Sequence, residues 1–317
     1  MQKQLLGKRM AMACLVAVML FSVPVYAVAD APELVMEAYN GVVRIAAPME
    51  DGVSLGTGFV VGTEDEYYVV TNHHVIEGAE SIQILYDTGK TIEASIVLDS
   101  PQKDLCIVKP SRRIPNVKVL PLQTSAINPG TAVYTLGYPG AADILTGQYE
   151  TYETIEDIMA DKMSITITDG LVNAVRESSL VGNQTANVKI LQIDAVINQG
   201  NSGGPLLDTS GNIIGINTMG LSSETISGVY ASVHVEELVK LLKKERISYT
   251  TADEAAAARL QSSQQEEQEG TLKTVVLVFV LLFVVLAAAV VVLAVRKKKK
   301  QNKKGITLQD YTRRGGF

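Results

Sequence analysis

The 317-residue chain is poor in the residues that build disulfide frameworks and metal sites. It has two cysteines, three histidines and no tryptophan. Cys14 lies in an N-terminal segment that reads as a leader, which leaves Cys106 without an intramolecular disulfide partner. We expect Cys106 to be a small buried apolar residue. We expect no metal and no other cofactor, because no Cys/His cluster has zinc spacing.

Basic side chains are also scarce in the central part of the chain. Residues 30–270 contain 33 acidic and 15 basic side chains, a formal charge of −18. A surface that acidic is repelled by phosphate backbones, so nucleic acid is not an expected partner.

Long apolar stretches, in contrast, are present near both ends. Residues 1–29 combine a basic start, an apolar stretch at 10–23 and small residues at 27–29, the pattern of a signal peptide; an uncleaved anchor is the alternative. Residues 275–295 have no polar side chain and would span about 31 Å as a helix, enough to cross a lipid bilayer.

The basic cluster at 296–300 follows this second stretch directly. It favours a cytoplasmic tail at 296–317 and disfavours a nucleic-acid site in the lysine run. We therefore predict a single-pass protein of the cell membrane, with a transmembrane helix at 275–295, a polar stalk at 251–274 and an extracytoplasmic domain at 30–250.

The pattern of the extracytoplasmic part predicts an all-β domain. Two sets of six short apolar or alternating segments, separated by turn residues, are typical of barrels or a sandwich and not of βαβ units. The first set is 42–46, 59–61, 67–71, 82–86, 91–98 and 105–109, and the second is 132–136, 164–168, 188–194, 204–207, 213–217 and 228–233. We expect two small barrels, at about 38–113 and 126–235, and an amphipathic helix at 235–244.

The strongest chemical signal is the string Gly-Asn-Ser-Gly-Gly-Pro-Leu at 200–206. A serine hydroxyl attacks a carbonyl only if a base takes its proton and N–H groups bind the resulting oxyanion. We assign Ser202 as the nucleophile and the backbone of Gly200, Asn201 and Ser202 as the oxyanion hole. The alternative for so Gly-rich a string is an ordinary turn between strands.

A base and an orienting carboxylate are available elsewhere in the chain. His73 and His74 follow the predicted strand at 67–71, while His234 reads as a packing residue. Asp104 opens the apolar strand at 105–109 and can accept the imidazole N–H. Asp99 is the alternative for the orienting carboxylate, but its position in the sequence predicts a turn residue.

Further strings accompany these three, which occur in the order His, Asp, Ser. They are Gly-Thr-Gly-Phe at 56–59, Leu-Gly-Tyr-Pro-Gly at 136–140, Thr-Asp-Gly-Leu-Val at 168–172, Gln-Ile-Asp-Ala-Val-Ile-Asn-Gln at 192–199 and Gly-Ile-Asn-Thr at 215–218. On these strings, residues 38–245 resemble the HtrA/Deg family of trypsin-like serine proteases.

The resemblance implies two six-stranded antiparallel β-barrels with a catalytic triad between them. In that family the fourth position of Thr-Asn-x-His-Val is catalytic, which selects His74 and leaves His73 as a surface or packing residue. The implied activity is a serine endopeptidase, with Ser202, His74 and Asp104 as its triad, that cleaves exported or misfolded polypeptides through an acyl-enzyme intermediate.

The chain departs from the family in three ways. We expect no PDZ module after the protease domain, because a membrane segment stands there. Residues 141–163 form an acidic insertion that is either a regulatory flap near the cleft or a solvated loop. The N-terminal region has few of the aromatic residues with which the family forms its typical homo-trimer, so the oligomeric state stays open.

Two expectations concern single positions. Asn201 stands where digestive relatives carry an Asp that pairs with a newly cut N-terminus, so we expect activity without propeptide cleavage, controlled by loop ordering. We assign the specificity pocket to Val196, Ile197, Thr218 and Met219. Without a carboxylate, such a pocket favours a small or branched apolar residue before the scissile bond.

A second hypothesis belongs to another class of protein. The chain would be a protease-fold binding or sensor protein whose catalysis is lost or held inactive. A fluorophosphonate probe separates the two hypotheses, because only an assembled site labels Ser202.

Overall fold

The computed structural model describes residues 31–87, 90–139, 164–178, 187–223 and 226–314, and these divide into two compact units. The first ends at Ala252 and the second begins at Asp253. The predicted signal peptide and the insertion at 141–163 lie outside the described residues.

The first unit begins with helix α1 (Ala31–Glu37) and a 3₁₀ turn (Ala38–Gly41) and continues into a first barrel. Its strands are β1 (Val42–Met49), β2 (Gly52–Gly62), β3 (Tyr67–Thr71), β4 (Ile82–Asp87), β5 (Lys90–Ser100) and β6 (Leu105–Pro110). The short helix α2 (His73–Ile76) follows β3, and a 3₁₀ turn (Pro101–Lys103) precedes β6. The sheet closes in the order β1-β2-β3-β6-β5-β4 with antiparallel neighbours.

The second barrel closes in the order β10-β11-β12-β9-β8-β7, again antiparallel. Its strands are β7 (Ala132–Gly137), β8 (Thr166–Ser178), β9 (Val188–Ile193), β10 (Pro205–Asp208), β11 (Ile213–Ser223) and β12 (Ile226–His234), followed by helix α3 (Val235–Glu245). The predicted fold class, two six-stranded antiparallel barrels, is confirmed. Each of the twelve predicted segments overlaps one of the strands.

Strands β3 and β6 are buried on both faces, which explains why they read as continuous apolar runs. In β3, Val69 packs inside the first barrel, while its neighbour Val70 packs into the core that the second barrel shares. In β6, Cys106 likewise packs inside the first barrel, and its neighbour Ile107 packs into the shared core. The two barrels therefore meet along a wall whose residues alternate between two interiors.

Strands β2 and β8 are much longer than the sequence indicates, because glycines inside them read as breaks. Gly58 lies where a Cβ would come within 2.7 Å of the Val69 side chain. A Cβ on Gly170 would collide with the backbone of Ala195. Both glycines permit a close approach of neighbouring segments and do not end their strands.

Helix α4 (Ala252–Arg314) begins at the last residue of the first unit and forms the described part of the second. Among the described residues it is the one helix long and apolar enough to cross a membrane. Its apolar side chains between 275 and 295 are exposed.

Candidate active site

The structure brings together the imidazole of His74 and the carboxylate of Asp104, which are 30 residues apart in the chain. His74 Nδ1 lies 2.9 Å from both Asp104 oxygens, and the His74 backbone N–H donates to Asp104 Oδ1 at 3.0 Å. The carboxylate is almost fully buried, while 45% of the His74 side chain is exposed. One end of the imidazole is therefore anchored and the other faces solvent.

The barrel register sets this pairing. Thr71 at the end of β3 lies opposite Cys106 at the start of β6, so the residues that leave β3 and enter β6 are neighbours. The buried Asn72 side chain donates to the Asp104 carbonyl at 2.7 Å. Asp104 itself has φ +53°, a left-handed conformation that aspartate tolerates better than most residues.

The contacts also assign the tautomer of His74. An ionised carboxylate only accepts hydrogen bonds, so the ring proton lies on Nδ1. Nε2 then carries a lone pair and can accept a proton from a neighbouring hydroxyl.

Ser202 lies in the serine turn, residues 198–204, which packs against the end of β3. Gly203 is so close to this strand end that a Cβ would stand 2.9 Å from the Asn72 nitrogen. The Thr57 N–H donates to the Ser202 carbonyl at 2.8 Å. The hydroxyl of Ser202 is thus attached to a turn that touches the segment leading into His74.

On either side of Asn201, the backbone N–H groups of Gly200 and Ser202 have no acceptor among the described residues. The Asn201 N–H lies between them and donates to the Asn198 carbonyl at 2.9 Å. Gly200 has φ +99°, which only glycine adopts easily and which a type II turn requires at its third residue. Of the three residues assigned to the oxyanion hole, Gly200 and Ser202 have unbound N–H groups and Asn201 does not.

Thr218 contacts both ends of this arrangement. Its hydroxyl donates to Asp104 Oδ2, and its carbonyl accepts from Ser202 Oγ at 3.5 Å, the limit of a hydrogen bond. No hydrogen bond joins the described side chains of Ser202 and His74. Sequence reasoning assigned Thr218 only to the specificity pocket and missed its contact with the carboxylate; the matching string at 215–218 was the available signal.

His73 and Asp99 form a second pair beside the first. His73 Nδ1 lies 2.8 Å from Asp99 Oδ1, and Nε2 lies 3.6 Å from a Glu77 oxygen. The interpretation of Asp99 as a turn residue is wrong, because it lies in β5 opposite Cys106. The bulge between Ile96 and Leu98 sets which face of β5 the residue occupies, and the sequence does not reveal it.

The remaining candidates have structural roles. His234 caps α3 by accepting from the Glu236 N–H at 3.0 Å, and burial, with a smaller contribution from Lys189, lowers its pKa to about 4. Burial, helped by the Asp99 charge, raises the pKa of the Cys106 thiol to about 12. Cys106 is a buried free cysteine, and its burial agrees with the expectation from the sequence. The described residues contain no group of three or more His, Cys, Asp or Glu that could hold a metal ion.

The proposed pocket residues do not share one environment. Val196 is 39% exposed, whereas Ile197 is buried in the core of the second barrel. Thr218 is buried, and the side chain of Met219 lies outside the described part. Asp194, the nearest carboxylate in sequence, accepts from the Leu171 N–H at 2.6 Å.

The Asn201 side chain is completely buried, and neither its oxygen nor its nitrogen has a partner. Its oxygen points at β7, since a Cβ on Gly137 would be 2.6 Å away. A neutral amide tolerates this environment better than a carboxylate would, because burying an unpaired charge is far more costly.

Comparison with known proteins gives a family for this arrangement. The family model for the trypsin-like peptidase domain matches residues 56–216, just over half of the chain. The chain is 30% identical over 197 residues to the serine protease Do-like HtrA of Bacillus subtilis, covering 61% of this chain and 39% of that protein. It is 32% identical over 173 residues to the putative serine protease HhoB of Synechocystis, covering 54% and 35%.

A solved structure of a serine protease has a similar fold. The serine endoprotease from Yersinia pestis superposes with a TM-score of 0.51 at 28% identity, covering 71% of this chain and 68% of that one. The chain spans less than half the length of the curated relatives named here.

Proposed function

Because the chain belongs to the trypsin-like peptidase family and is similar to HtrA/Do-like serine proteases, we propose that it is a serine endopeptidase acting on exported or misfolded polypeptides. The observation that carries the proposal is the His74–Asp104 pair beside a serine turn in which the N–H groups of Gly200 and Ser202 are unbound. Ser202 is the proposed nucleophile, His74 the base and Asp104 the orienting residue.

In the proposed reaction, Ser202 Oγ attacks the scissile carbonyl carbon while His74 Nε2 takes the hydroxyl proton. The carbonyl oxygen becomes an oxyanion and is bound by the N–H groups of Gly200 and Ser202. The intermediate collapses as the C–N bond breaks, and the imidazolium gives its proton to the leaving amine. Water then attacks the acyl-enzyme, with His74 again as base, and releases the acid.

The Ser202 hydroxyl must turn before it can react. In the structure it donates weakly to the Thr218 carbonyl, at 3.5 Å. Breaking so long a bond costs little, and rotation about one side-chain torsion directs the hydroxyl elsewhere. The hydrogen bond to Thr218 is therefore no obstacle to the proposed role of Ser202 as nucleophile.

Labelling by a fluorophosphonate probe tests the proposal. We expect the full-length protein in detergent to form a phosphonyl bond at Ser202 Oγ with loss of fluoride, because the site activates this hydroxyl. Ser202→Ala and heat-denatured wild-type protein are the controls, and neither should label. Stable, folded wild-type protein that fails to label would favour the sensor hypothesis, in which catalysis is lost or held inactive.

We also propose that α4 anchors the protease domain, residues 30–250, at the outer face of the cell membrane. Residues 275–295 supply a length of about 31 Å, and the basic residues at 296–300 keep the tail at 296–317 in the cytoplasm. In this topology residues 251–274 form the stalk and the lipid bilayer is a partner of the chain.

Fractionation checks the anchor. We expect the wild-type protein to stay in the membrane pellet after an alkaline carbonate wash. Replacing Leu281, Leu282 and Leu286 together by Arg should release it, because each charge at the centre of a span costs about 2.5–3.5 kcal/mol. The same three positions changed to Ile are the control. Retention of the Arg variant would contradict a span at 275–295.

A further inference from the structure

Thr57 connects the two barrels through its hydroxyl. The residue lies in β2 of the first barrel and is fully buried. Its Oγ1 donates to the Gly200 carbonyl at 2.7 Å and accepts from the Tyr138 N–H at 3.0 Å. Gly200 belongs to the serine turn, and Tyr138 follows β7 of the second barrel. We propose that Thr57 is a positioning residue that holds the oxyanion hole in shape, an inference that rests on the proposed protease function.

The position of the bonded carbonyl carries the inference. The Gly200 N–H and the Ser202 N–H belong to different peptide planes, and the plane between them contains the Gly200 carbonyl. Thr57 Oγ1 holds this carbonyl, while the Asn201 N–H of the same plane donates to the Asn198 carbonyl. Fixing the middle plane at both sides fixes the angle between the two proposed oxyanion donors.

The main chain of Thr57 holds the other side of the serine turn. Its N–H donates to the Ser202 carbonyl at 2.8 Å, and its own carbonyl accepts from Thr71 Oγ1 at 2.8 Å. Thr57 therefore holds residues 200–202 at both ends. Its side chain binds the Gly200 carbonyl, and its backbone N–H binds the Ser202 carbonyl. A side-chain substitution removes only the first of these contacts.

A hydroxyl makes both side-chain contacts with one atom. The Tyr138 N–H needs an acceptor and the Gly200 carbonyl needs a donor, and a hydroxyl supplies both at once. Accepting from Tyr138 also directs the hydroxyl proton toward Gly200. The Thr57 methyl packs at Gly204, where a Cβ would be 3.1 Å from Cγ2, and this contact restricts the rotamer.

Four side chains at position 57 separate the hydroxyl from the methyl group. Thr57→Val and Thr57→Ala lack the hydroxyl, while Thr57→Ser keeps it. We expect kcat for a peptide substrate to fall about 10- to 100-fold in the Val and Ala variants, a part of the 10²–10³-fold that loss of one oxyanion donor costs. KM should change less than about threefold, since ground-state binding is untouched. Thr57→Ser should retain kcat within about threefold.

A second readout reports the oxyanion hole directly. Affinity for a peptidyl boronate, whose tetrahedral adduct occupies the hole, should fall by the same factor as kcat/KM. If Thr57 only stabilised the fold, its loss would lower the amount of folded enzyme. The kcat and the boronate affinity, both measured per titrated active site, would then equal those of the wild-type protein. Thr135→Val is the matched control, because Thr135 is equally buried and its hydroxyl bonds to the Thr168 hydroxyl within the second barrel, away from the serine turn. It should lose stability without the loss of kcat.

The outcomes are distinguishable. If wild-type protein neither labels nor cleaves peptides, the proposed function fails, and this inference fails with it. If wild-type protein is active and folded Thr57→Val matches it in kcat and boronate affinity, only the inference is overturned. Should Thr57→Val not fold, Thr57→Cys gives the same test, because a thiol fills the site but donates weakly. Full kcat in that variant would also overturn it.

Discussion

Replacing Asp104 by Asn is expected to lower kcat about 10⁴-fold while leaving KM nearly unchanged. The reason lies in how the carboxylate is bonded. Oδ1 accepts from the His74 backbone N–H, which cannot reverse its role, whereas Oδ2 accepts from the Thr218 hydroxyl, which can. The asparagine oxygen should therefore take the place of Oδ1 and its NH₂ group that of Oδ2.

That orientation directs an amide hydrogen at His74 Nδ1. Nδ1 must then be the acceptor, so the ring proton moves to Nε2 and the imidazole can no longer take the Ser202 proton. Steady-state kinetics on a peptide substrate measures the loss. The fold should be retained, because the asparagine keeps the shape of the residue and the buried His74 N–H keeps an oxygen as its acceptor.

Asp99→Asn is the matched control, since Asp99 is bonded to the neighbouring His73 in the same way. We expect it to change kcat less than about fivefold, because the described hydrogen bonds and ion pairs of these two side chains do not involve the serine turn. If Asp99→Asn proves the more harmful of the two, the working imidazole is His73 and the assignment of the triad is wrong.

Selectivity at the residue before the scissile bond should also be large. We expect kcat/KM for peptides with Val at this position to exceed that for Arg by about 10³-fold or more, because burying an unpaired guanidinium costs several kcal/mol and each 1.4 kcal/mol is tenfold. The carboxylate nearest in sequence, Asp194, is held by the Leu171 N–H of β8. Val196 offers the exposed apolar surface that a branched side chain would contact.

A panel of peptides that differ only at this residue measures the ratio, with Ala, Leu and Ile expected near Val and Lys near Arg. Val196→Asp is the complementary variant and should raise the rate for Arg peptides, because it supplies the missing charge. Wild-type protein that prefers Arg would contradict the assignment of Val196 to the pocket.

The fold was predictable because its strands follow simple patterns. Alternating or continuous apolar segments with turn residues between them correspond to all twelve strands. The lengths of β2 and β8 were not predictable, because Gly58 and Gly170 serve close packing between segments that are distant in the chain. A single sequence does not distinguish such a glycine from one that ends a strand.

The candidate site was predictable where a motif marks it and not where tertiary contacts define it. His74 and Asp104 lie together as the strings at 71–75 and 104–109 indicate. The second carboxylate contact, from Thr218, depends on how β11 approaches β6, and the role of Thr57 depends on contact between the barrels. Such cross-barrel hydrogen bonds leave no local pattern in the sequence.

The shared wall of the two barrels limits how this protein can evolve. A one-residue insertion in β3 or β6 would exchange the side chains that face the two interiors, so neither core would fill. The same slip would separate His74 from Asp104, because Thr71 and Cys106 set their register. The packing of both interiors and the pairing of His74 with Asp104 therefore depend on the same alignment of two strands.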